Sequence, residues 1–169
     1  TYVDGAKVYA FGHPFLNLGP TTLAMTRSHL YTVLPSLDSS LKIGSLGPVI
    51  GTVPQDRATA VGGPLGAGPR EADVTVTMSS ERAPDRKFTF HVLQDQMLTP
   101  LFSYVALLNS LGSYERQAGV LSVAATGTVS FGADGQVTVD DRFAGDYAAT
   151  LAATAVAQPL GAAATNEFK

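Results

Sequence analysis

The sequence predicts a mainly β fold with two helices added in its last third. Three observations carry that expectation. Among 169 residues there are 17 glycines and 10 prolines, which cut the chain into short pieces joined by turns. Apolar residues alternate with period two at Ala72, Val74, Val76 and Met78, and again at Phe88, Phe90 and Val92. Beyond residue 98 the spacing turns helical, with Leu101, Val105, Leu108 and Leu111.

Taken in order, residues 1–3 and 7–11 read as a hairpin, because Asp4-Gly5 supplies the positive φ angles of a tight turn. Pro14 cannot donate to a ladder and marks the strand's exit after Gly12-His13. Residues 15–27 read as a loop, 29–34 as a strand stopped by Pro35, and 43–54 and 57–61 as two further short strands. Residues 62–69 are rich in Gly and Pro and read as a flexible connection. The two alternating runs then form an antiparallel hairpin with a long polar loop over 79–86. Thr99 as N-cap and Pro100 at the first helical position open a helix that Gly112 stops. Leu121, Val123, Ala125, Val129 and Phe131 alternate up to the Asp134-Gly135 turn, and Val137 and Val139 return. Asp146 then caps an Ala-rich helix that Pro159 kinks or ends. Residues 1–95 form the β region, and 96–169 pack on it as part of one structural unit.

Composition narrows the function. At 45% hydrophobic and 15% charged the chain is globular, and this length buries about two thirds of the unfolded surface. A net charge of -3 leaves no basic footprint for nucleic acid. With no cysteine there is no disulfide, thiolate metal site or thiol nucleophile. The longest apolar stretch, 147–164, is mostly alanine and includes Gln158 and Pro159, so no membrane span is expected. The chain begins at Thr1 without an initiator Met and reads as a piece of a longer precursor.

Few residues carry chemistry. The glycines of 62–68 form neither a dinucleotide fingerprint nor a phosphate loop. Ser130-Phe131-Gly132 falls short of a nucleophile elbow because Thr128 stands where its first glycine belongs. His29 opens a strand and reads as a capping or core hydrogen-bonder, His91 reads as a half-exposed strand residue, and the spacing of the three histidines gives no metal set. No metal and no cofactor is expected. His13 differs. A strand of Val8, Tyr9, Ala10 and Phe11 delivers it behind a glycine, giving a fixed position and access, which a general base needs.

Asp4-Gly5 followed by Ala10-Phe11-Gly12-His13 resembles the histidine-bearing segment of the SpoIVB-type serine peptidases, the stage IV sporulation protein B family. Thr26-Arg27-Ser28 resembles that family's next strand. Ile50-Gly51-Thr52-Val53-Pro54-Gln55-Asp56, with Gly62 and Gly66 beyond it, resembles its Ile-Gly-x-Val segment. The resemblance covers residues 1–95. It implies a trypsin-like half-barrel or small antiparallel barrel, and His13 as general base. The family's Gly-x-Ser-Gly-Ser-Pro nucleophile segment is absent from this sequence. The last third looks more like the secreted family members of non-sporulating bacteria, in which the serine segment comes earlier in the precursor.

The resemblance therefore implies an extracytoplasmic serine endopeptidase, self-processing, whose nucleophile lies outside this chain. Its expected partners are the upstream half of its own precursor, a peptide substrate and further copies of itself. Asp56 is the nominee for an orienting acid, with Arg57 beside it as a structural partner. The rival reading is a non-catalytic β-rich binding or assembly module derived from the same fold.

Overall fold

The computed structural model describes residues 1–10, 13–115 and 119–166. Gly5, at φ 53°, turns Tyr2–Asp4 (β1) back onto Lys7–Ala10 (β2), as the Asp-Gly pair predicts. Three more strands follow, Gly19–Leu34 (β3), Leu41–Asp56 (β4) and Val61–Pro64 (β5). The five form one antiparallel sheet in the order β1-β2-β5-β4-β3. β1 and β3 are its two edges, so the sheet is open and there is no closed barrel.

Two expectations change here. β3 starts at Gly19, ten residues before the expected strand, and carries register shifts between Pro20 and Leu23 and at three later points. Proline is tolerated on an edge strand such as β3, and the shifts break the alternation that would have revealed it. The Gly/Pro stretch is in part a strand, β5. A Cβ on Gly63 would stand 1.9 Å from the Thr52 carbonyl oxygen, and one on Gly51 2.2 Å from that of Pro64. These glycines permit close approach of backbones.

The chain divides into two compact units, Thr1–Arg70 and Glu71–Lys169. The first contains strands only, one layer deep. Among its described residues only Thr21, Gly51 and Asp56 are buried, and no large apolar side chain is. The distal halves of β3 and β4 form a two-stranded arm in which all of residues 27–49 are exposed, Leu30, Tyr31, Leu37 and Leu46 among them.

In the second unit, Glu71–Ser80 (β6) pairs with Ala83–Leu93 (β7), and Leu121–Ser130 (β8) with Gln136–Gly145 (β9). The β6–β7 turn is tight at Glu81-Arg82, not a long loop. Leu98–Tyr114 (α1) packs on β6 and β7, Ala148–Thr165 (α2) packs on β8 and β9, and the helices pack together. Ala148, Ala149, Ala152, Ala153 and Ala157 are buried, so the alanines of α2 let it lie close to its neighbours.

Helix ends differ from the sequence reading. Asp95, not Thr99, caps α1: its Oδ1 accepts the N–H groups of Met97 and Leu98, each at 2.9 Å. Thr99 Oγ1 accepts the Asp95 N–H at 2.8 Å in return. α1 runs through Gly112 and α2 through Pro159, and among the described residues no side chain caps the start of α2.

Candidate functional site

The site lies where β2 ends. β2 pairs with β5 as far as Ala10↔Val61, and Val61 also pairs with Asp56 of β4. Phe11 and Gly12, part of the Gly-His element, lie outside the described residues. His13 follows, exposed. Its Nδ1 stands 2.7 Å from the Pro14 carbonyl oxygen. A carbonyl only accepts, so Nδ1 carries the proton of this bond.

Past His13 the chain wraps around one carboxylate. Asp56 Oδ1 accepts the Phe15 N–H at 2.7 Å, and Oδ2 accepts those of Leu16 at 2.8 Å and Leu18 at 3.2 Å. Asn17 makes this possible by adopting φ 57°, a left-handed conformation that asparagine tolerates better than most residues, and Gly19 follows at φ 73°. Gly19 then pairs with Asp56 as β3 begins. Asp56 is 0% exposed. Burial pushes its carboxyl up, but the backbone amides of Leu16, Phe15, Leu18 and Asn17 outweigh that and hold it below the ordinary Asp value. It is therefore a buried anion satisfied by N–H groups, stabilising the segment that follows His13.

The hydrogen bonds of Asp56 run to this backbone and not to the imidazole, so it anchors the segment after His13. Sequence reasoning found Asp56 but not this role, because its partners are main-chain amides that no residue type marks. The other histidines lie apart from His13 in the bonding pattern. His29 on the arm meets the Tyr31 ring edge-on at 5.0 Å. His91 lies 2.7 Å from Asp73 on an exposed strand face, a surface pair of small energetic weight. Among the described residues no three of His, Asp and Glu are placed to share a metal ion. Asp140 and Asp141 are exposed on β9. No helix among the described residues is long and apolar enough to cross a membrane. Comparison of the chain with family models, curated proteins and solved structures finds no match.

Proposed function

We propose that this chain is the histidine-bearing portion of a secreted bacterial serine endopeptidase, with the serine on an upstream half of the same precursor. The observation that carries the reading is His13: an exposed imidazole with Nδ1–H held by the Pro14 carbonyl, ahead of a segment clamped by Asp56. In the reaction, Nε2 takes the hydroxyl proton as the serine oxygen bonds to the scissile carbonyl carbon. The resulting imidazolium returns that proton to the leaving amine as the C–N bond breaks, and water then hydrolyses the acyl-enzyme with the same base. Backbone N–H donors stabilise the oxyanion.

The single-layer sheet supports a split molecule. A sheet must bury one face against another element, and the first unit supplies none from its own strands. The upstream half is the covering layer in this reading, and the precursor is its own first substrate.

The test compares the precursor carrying wild-type His13 with His13→Ala. Removing a general base lowers the rate about 10²–10⁴-fold. Wild type should cleave itself or hydrolyse added casein, and His13→Ala should do neither at a comparable rate. The 169-residue chain alone should not react with a fluorophosphonate probe, and labelling of Ser28 or Ser45 would overturn the assignment. Equal behaviour of both precursors in every assay would leave the second reading, a binding or assembly module. That reading is favoured by one observation, the exposed apolar arm at Leu30, Tyr31, Leu37 and Leu46.

A further inference from the structure

The second unit contains a slot walled by two sheet edges. Among the described residues β6 is paired only with β7 and β8 only with β9, in separate two-stranded sheets. Each of β6 and β8 therefore keeps one edge of N–H and C=O groups outside any ladder. A cavity of about 1210 Å³ is lined by every residue from 72 to 82 and every residue from 120 to 130. Successive side chains of a strand point to opposite faces, so a cavity that touches each residue in turn runs along the strand's edge. The floor comes from the helices, with Leu107 and Leu111 of α1 and Ala152, Val156 and Leu160 of α2. Ser103 is also on the floor, 2% exposed, and its Oγ has no hydrogen-bond partner.

We infer that this slot binds one extended segment of a separate polypeptide by strand addition, completing a five-stranded sheet in the order β7-β6-peptide-β8-β9 over the two helices. The inference is independent of the peptidase reading. Its chemistry follows from the walls. Two facing edges present alternating donors and acceptors, and an extended main chain is the ligand that satisfies both at once. Both walls are 10 residues long, about 33 Å of strand, and the volume exceeds the roughly 300–1,000 Å³ of small-molecule sites. The apolar floor asks for apolar side chains on alternate residues of the guest.

Charge sets the other face. Outward positions of β6 carry Glu71 and Asp73, while those of β8 are Ser122, Ala124, Thr126, Thr128 and Ser130. Lys or Arg on the guest's outward positions is therefore favoured beside β6. A second copy of this chain is a poor guest. Each of its described strands of ten or more residues is already committed to a hairpin, and β1, with an edge of its own, has 3 residues.

The probe is fluorescein-labelled Lys-Val-Thr-Val-Lys-Val-Thr-Val-Lys amide, titrated with the 169-residue chain and followed by anisotropy. Saturable binding is expected, weakened at least about ten-fold when alternate peptide nitrogens are methylated, since methylation removes the donors of one edge. Asp73→Lys, an exposed substitution, should weaken binding several-fold and more so at low salt. Hydrogen exchange should slow about ten-fold at alternate amides of β6 and β8 on adding peptide, with β7 and β9 unchanged. No saturation by about 1 mM, or equal affinity for the methylated peptide, would overturn the inference. Concentration-dependent protection of the same amides without peptide would overturn the committed guest and put a second copy in the slot.

Discussion

Gly63→Ala separates two views of the Gly/Pro stretch by the sign of its effect. In a flexible connection, replacing Gly with Ala stabilises by about 0.4–1 kcal/mol, because the unfolded chain loses freedom. In the structure Gly63 sits in β5, and its φ lies outside the left-handed region. The added Cβ would lie 1.9 Å from the Thr52 carbonyl oxygen and 2.7 Å from Pro54 Cδ. Relief requires β4 and β5 to separate by more than about 1 Å, since contacts below 3.0 Å essentially never occur. That displacement strains the Gln55↔Gly62 and Asp56↔Val61 pairs. Overpacking costs about 1–3 kcal/mol, and each lost ladder bond adds about 0.5–1.5 kcal/mol. A loss of about 2–3 kcal/mol follows, and in a unit of 70 residues each kcal/mol moves the melting temperature by roughly 4–8 °C. Calorimetry should show the first unit's transition fall by roughly 10–20 °C. An unchanged or raised transition would refute the strand assignment and with it the support that β5 gives β2 and His13.

Asp56→Asn should free the Phe15–Leu18 backbone, seen as faster amide exchange at Phe15, Leu16 and Leu18 across the pH range. In wild type the carboxyl is held below its ordinary value, so its stabilisation is present above about pH 4 and lost as pH falls further through the folded value. The protection factors of those three amides, taken relative to the intrinsic exchange rate at each pH, should therefore fall on acidification, and protection factors that do not change with pH in wild type would refute the cradle. Leu98→Ala removes a fully buried side chain at the start of α1. The three lost carbons and the cavity left behind should cost the second unit about 3 kcal/mol by urea denaturation, and a loss below about 1 kcal/mol would mean the helix start is not docked.

The parts of the fold legible in the sequence are those whose signals are local. Asp4-Gly5 and Asp134-Gly135 mark their turns, with Gly5 at φ 53° and Gly135 at φ 106°. The alternation at Ala72–Met78 and Phe88–Val92 becomes the β6–β7 register, with Val74 opposite Phe90 and Val76 opposite Phe88. The mainly β character with two C-terminal helices follows from such signals. What escaped is non-local. β3 hides behind bulges, and β5 hides because glycine chosen for close approach looks the same as glycine chosen for flexibility. Asp95 rather than Thr99 caps α1 because both residue types suit the position and only the bond geometry decides. At the site, the position of His13 after a strand was readable, whereas the anchoring of its neighbours by Asp56 was not. The slot in the second unit consists of unpaired backbone, which no side chain announces.

The Asp56 cradle also governs when the site can exist. Its bonds to Phe15, Leu16 and Leu18 span 41, 40 and 38 residues of sequence. On a ribosome adding about 5–20 residues per second, His13 precedes its anchor by roughly 2–9 s. During that interval the imidazole is tethered to a short hairpin and to nothing that fixes the chain beyond it. Closing so long a loop must also await the β4–β5 pairing that carries Asp56 into place, a non-local step of the slow kind. The sequence distance thus works as a delay between synthesis of the histidine and assembly of the loop around it.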